Sequence, residues 1–347
     1  MRDKRHFASI AITLLAGVLV ISVIGCFSSQ EAVIRQPLSP IVWPQLPEQA
    51  RIRFEYSFQS PEELGVKKGL LSWLAGDSKQ NQLIQPVAVA VSDDETIYVV
   101  DVTGVLSSYQ VATKKYRQQR STKSGLLHTP VSLTLGKNDS VYLVDSESKK
   151  ITVYTNKLHP VRELETGLDR PAGIVWDKWS NRLWIADAKG NRVVAFNLSG
   201  KVVAQIGDGL DSLTKLNTPT HLCIDSLGIY VTDAYNFQVK KYSFAGTLTQ
   251  TFGKLGTNSG AFSRPKGIAI DSDSNLYVVD ALFGNVQIFN PEGKLLLFFG
   301  TTGVTEPGNF NLPNGISIDH RNRIYVADTH HGMIQVFQYL AKQATTK

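Results

Sequence analysis

Asp328, His330 and His331 have residue types and a spacing that could do chemistry. Carboxylate and neutral imidazole both bind zinc or iron and both pass protons, so the stretch RIYVADTHHGMIQVF raises metal or acid/base catalysis directly. A zinc site needs at least a third protein ligand, which the sequence does not identify. Other catalytic signatures are missing. No G-x-S-x-G elbow marks an activated serine, and no C-x-x-C-H offers covalent haem attachment. Asp271, Asp273 and Asn275 begin like a calcium loop, but Leu282 stands where the twelfth residue would be Glu, so this segment reads as a hairpin.

The phrase around Asp328 is one of six copies. Its Asp has equivalents at Asp101, Asp145, Asp187, Asp233 and Asp280, so successive copies lie 44, 42, 46, 47 and 48 residues apart. Each Asp follows a proline, Pro86, Pro130, Pro171, Pro219, Pro265 or Pro313, by fourteen to sixteen residues. A carboxylate recurring at every repeat is a structural element, able to accept backbone N–H bonds at a strand end, with Asn191, Asn236 and Asn285 suited to the left-handed turn positions that follow.

Within a copy, GIAID, LYVVD, NVQIF and KLLLFFG are β-branched and aromatic runs separated by the polar turns SDSN and NPEG. Four short antiparallel strands repeated at this period describe propeller blades, so the fold expected is all-β: a six-bladed β-propeller of four-stranded antiparallel blades. The sixth copy lacks an outer strand, because residues 338–347 are polar. An alternating run at residues 51–58, RIRFEYSF, belongs to no other blade and is expected to pair there, closing the ring with the N-terminal strand.

The pattern P-x-G-I-x-x-D, I-Y-V-x-D, N-x-x-I-x-x-F resembles the NHL repeat over residues 86–337, weakest where Ala88 and Ser132 replace the glycine. The resemblance implies a six-bladed ring that binds on the face carrying the Asp-containing turns; the family includes protein- and RNA-binding scaffolds, sensors and a few enzymes. The peptide-amidating lyases, which the chain resembles among enzymatic propellers, hold metal on histidines near the starts of inner strands. The matching pairs here are Val87-Ala88, Val131-Ser132, Ala172-Gly173, Thr220-His221, Lys266-Gly267 and Asn314-Gly315, with His221 the single histidine. The resemblance therefore assigns no catalytic residue, metal ligand or cofactor.

The N-terminus reads as an export signal: a basic MRDKRHF, an apolar run, then Val23-Ile24-Gly25-Cys26. That ending resembles a bacterial lipobox, which assigns residues 1–25 to a lipoprotein signal peptide and acylation to Cys26. An uncleaved transmembrane anchor is the alternative. Residues 26–50, with four prolines, form a flexible tether, and residues 51–340 the propeller. The expected location is the cell envelope, lipid-anchored outside the cytoplasm, and by the sorting rules the resemblance carries, the outer membrane if the organism has one. The net charge of +6 is scattered, so nucleic acid is not an expected partner. Cys223, the remaining cysteine, reads as a buried thiol.

Residues 60–78 interrupt the repeat. Ser60 and Glu63 fit a capping box and Pro61 the first helical position, so an amphipathic helix is expected on the binding face. Candidate partner-contacting residues there are Tyr235, Phe237, Phe283, His330, His331, His221, Lys266 and Arg264. The reading that results is a membrane-anchored binding or assembly module for an envelope protein; the alternative is a lyase- or lactonase-type propeller enzyme or a small-ligand sensor working at the central channel.

Overall fold

Apolar runs such as Leu276–Asp280 are too short for helices and are buried along their whole length, which is the behaviour of a strand sandwiched between two neighbouring sheets. A computed structural model of the protein describes residues 40–45, 47–67, 81–209, 211–304 and 306–340. Within them the chain forms six antiparallel sheets arranged as a ring. Blade 1 begins with the inner strand Pro86–Val91, blade 2 with Pro130–Leu135, blade 3 with Pro171–Asp177, blade 4 with Pro219–Ile224, blade 5 with Pro265–Ile270 and blade 6 with Pro313–Ile318. Each inner strand touches the next, and Pro313–Ile318 touches Pro86–Val91.

The apolar core is divided among six clusters, one at each blade junction. Tyr98, Val100, Leu133 and Leu143 fill the wedge between blades 1 and 2, while Phe58, Val99, Tyr325 and Val336 fill the one between blades 6 and 1. Outer strands alternate instead: along Leu295–Phe299, Leu296 and Phe298 are exposed and Phe299 is buried. One face of an outer strand meets a neighbour and the other meets water.

Ring closure follows the sequence expectation. The strand β1 (Val42–Trp43) precedes β2 (Ile52–Phe58), and β2 is the fourth strand of blade 6, pairing antiparallel with Met333–Tyr339 from Ile52 opposite Tyr339 to Phe58 opposite Ile334. Two expectations need correction. The tether assigned to residues 26–50 is not all linker: β1 adds a fifth strand outside β2, and Trp43 packs against Phe299 and Phe337. Of the helix expected over residues 60–78, the described part, residues 60–67, holds a 3-10 turn, Pro61–Leu64, ended by Gly65 in a left-handed conformation. Ser60 makes no side-chain cap there, although the Glu63 carboxylate accepts a bond from the Gln59 amide. Residues 68–80 lie outside the described residues, as do the signal, Cys26 and the tether up to residue 39.

Glycine in the P-x-G phrase has a steric reason. A Cβ on Gly173 would lie 2.5 Å from the Thr220 carbonyl oxygen, on Gly267 2.4 Å from that of Asn314, and on Gly315 2.6 Å from that of Val87. These inner strands approach their neighbours too closely for any side chain. Where blade 2 has Ser132 instead, its Oγ accepts a bond from the Ile174 amide, so the side chain bridges the same seam.

Candidate functional site

The recurring Asp is a clamp with two arms. In blade 5, Asp280 accepts from the Ser263 and Arg264 amides of the loop entering the inner strand, and from the Leu282 and Phe283 amides of the turn that follows. Asp101 and Asp145 bind their own loop and turn in the same way. All six carboxylates are buried. The left-handed residue of the turn sits four positions after the Asp in five blades: Lys149, Asn191, Phe237, Gly284 and Gly332. Of the three asparagines suited to that position, only Asn191 takes it; Phe237 and Gly284 do so in place of Asn236 and Asn285.

The histidine pair divides. His331 Nδ1 lies 2.8 Å from an Asp328 carboxylate oxygen, and its side chain is only 7% exposed. Burial pushes the Asp328 carboxyl up from its ordinary range, opposed by bonds from the Asn311 amide, Gln335 and His331. His331 thus helps hold the turn. His330 is exposed, and both line a cavity of about 330 Å³ with Gln82, Leu83, Ile84 and Gly332. Among the described residues, no group of three His, Cys, Asp or Glu side chains converges as a metal site.

The larger cavity, about 630 Å³, opens where the inner strands begin. Its wall includes one residue following each proline: Val87, Val131 and Ala172 from blades 1 to 3, then Thr220, Lys266 and Asn314 from blades 4 to 6. Half the ring is therefore apolar and half polar. His221 and Arg264 extend the polar half, Arg170 stands beside it on the loop entering blade 3, and Tyr235, Phe237 and Leu282 stand on the turns around it. Tyr235 is 67% exposed and Leu282 51%. Of the residues marked in the sequence as partner-contacting, Tyr235, Phe237, His221, Lys266 and Arg264 meet here; His330 and His331 line the smaller cavity, and Phe283 lines neither. Arg170 and Leu282 were missed, yet they sit next to Pro171 and within the Asp280 turn, positions the repeat could have flagged.

The electrostatics of this wall are one-sided. Among the described residues, no Asp or Glu lines it. Burial, with Arg264 and Arg170 nearby, brings the Lys266 ammonium down to about 8. Burial, then the Lys266 charge, holds the His221 imidazole down to about 3, so it is neutral at physiological pH. Thr220 Oγ1, His221 Nδ1 and Asn314 Oδ1 are buried without a hydrogen-bond partner among the described residues. Buried cations elsewhere are paired, as Lys240 is with Asp233 at 2.9 Å. Cys223 is free and buried beside Tyr230 and Ile268, and burial pushes its thiol well up.

Comparison with known proteins agrees with the fold. An NHL-repeat family model matches residues 310–337, the span from the loop before blade 6 through its third strand. The chain is a six-bladed propeller with an NHL repeat. Similar solved structures include a protein of unknown function from Bacteroides thetaiotaomicron (18% identity, TM-score 0.63, covering 81% of this chain and 75% of that one). A catalytically inactive virginiamycin B lyase from Staphylococcus aureus, solved with quinupristin, is 18% identical with a TM-score of 0.54, over 76% of this chain and 87% of that one. An auxiliary nutrient binding protein from Bacteroides thetaiotaomicron is 15% identical with a TM-score of 0.58, over 74% and 69%. Likeness at these identities concerns the fold alone. No curated protein matches the chain in sequence.

Proposed function

We propose that this NHL propeller is an extracytoplasmic binding module, held to a membrane by lipid on Cys26, that receives an envelope protein partner on the face bearing the Asp-containing turns. The observation that carries the reading is the large cavity framed by exposed side chains, Tyr235 and Leu282, on turns held by buried carboxylates: Asp233 through the Asn236 side chain and Asp280 through the Leu282 amide. Large apolar side chains held out to water on rigid turns offer contact area at little entropic cost. Phe237 supports it further. A bulky residue at φ 55 is strained backbone, retained on the cavity wall where other blades place Gly, Asn or Lys.

Cross-linking in native membranes tests the reading. Tyr235→Ala combined with Leu282→Ser should remove the captured partner and change stability by less than about 0.5 kcal/mol, because neither side chain is packed in the core. Full capture by the double variant would sink the proposal.

A further inference from the structure

We infer that the large cavity is a receptor for a carboxylate carried on an apolar stem. The inference rests on the binding-module reading and specifies what the partner or ligand must present. Three observations support it. The cationic groups Arg170, Arg264 and Lys266 have no ion-pair partner among the described residues, and no acidic side chain shares their wall. Lys266 is half-buried, and a cation in that setting ordinarily acquires a counter-charge. In blades 1 to 3 the residues that follow the prolines, Val87, Val131 and Ala172, present apolar surface, with Ser146 and Arg170 on the turn and loop beside them. An anion alone would leave that surface wet, and a hydrocarbon alone would leave the cations unmatched, along with the bond-less Thr220 hydroxyl and His221 Nδ1, both able to donate to a carboxylate.

The volume, about 630 Å³, suits a molecule or chain end of modest size. Binding should also depend on pH. The titratable and charged groups around Lys266 are Arg264, Arg170, His221 and the Tyr235 hydroxyl. A paired carboxylate raises the pKa of the ammonium it meets, so affinity is full below about 8 and falls as pH rises through that value.

Isothermal titration of the whole exported chain tests this with 3-phenylpropionate against 3-phenylpropionamide, and with a tripeptide ending in Phe against its C-terminal amide. Each acid should bind at least about tenfold more tightly than its amide, a preference lost in Lys266→Met. Lys266→Arg should bind the acids but lose the decline between pH about 7 and about 9, since guanidinium stays charged there, and this variant keeps the test open if Lys266→Met does not fold. Tighter binding of the tripeptide acid would make the source a protein chain end; tighter binding of 3-phenylpropionate, a free organic acid. Equal affinity for acids and amides, or an unchanged pH decline in Lys266→Arg, overturns the inference. Partner capture by Tyr235 and Leu282, scored separately, would survive that failure.

Discussion

Asp280 closes two arms of chain at once, so its removal should cost more than the loss of one ordinary hydrogen bond. Asp280→Ala leaves the amides of Ser263, Arg264, Leu282 and Phe283 without their acceptor, and part-buried donors left in this way cost about 1–3 kcal/mol each unless water replaces the carboxylate. A loss of about 3 kcal/mol or more in urea unfolding is expected. A loss smaller than that from Leu282→Ser would contradict the clamp. At this scale the sequence showed which carboxylates are structural, because recurrence is visible in one dimension. It did not show the arm to the incoming loop, since periodicity says nothing about where a loop folds back. Nor did it place the left-handed residues. The turn fixes that position by its distance from the Asp, and Phe237 occupies it despite the cost of its side chain.

The blades depend on how closely their inner strands approach. A Cβ at Gly315 would meet the Val87 carbonyl oxygen at 2.6 Å and the Ala88 Cα at 2.8 Å, both backbone atoms that cannot step aside. Gly315→Ala should therefore cost about 1–3 kcal/mol by overpacking the seam between blades 6 and 1, read as a lowered Tm. Ala88→Gly, at the equivalent position of blade 1, should cost less, about 1 kcal/mol or under. An unchanged Tm for Gly315→Ala would mean that the seam can open without loss. Strand identity and pairing were legible because buried β-branched runs and polar turns alternate so regularly, and β2 was legible as a strand without a blade. The capping box misled over residues 60–67, where Ser60 makes no side-chain cap and Gly65 stops the turn after Leu64. Residues 42–43 were hidden among prolines that read as linker; Trp43 is held by the aromatic packing of blades 5 and 6.

For the molecule as a whole, the six residues that follow the prolines divide the channel mouth into an apolar and a polar half, a division readable from the sequence once the copies are aligned. What alignment could not supply was Lys266 without a counter-charge, because the positions of neighbouring carboxylates are set by the ring. Residue 26 belongs to the proposed anchorage. Cys26→Ser should leave the chain unlabelled by palmitate and either released from membranes or retained with its signal, since stable anchoring takes more than one lipid chain. Wild-type protein without lipid label would make the apolar N-terminal run a spanning anchor instead.

Ring closure also sets an order in time. Arg51 and Tyr339 meet across 288 positions, so the strand that completes blade 6 is synthesised before any of the blades and its partner only after five of them. At about 5–20 residues per second, roughly 15–60 s separate the two events. For that interval β2 is an alternating strand without its native neighbour, and the ring is open at the seam where Phe58 will pack. A chain halted before residue 333 leaves β2 with β1 alone and no blade to complete, however many finished blades it carries.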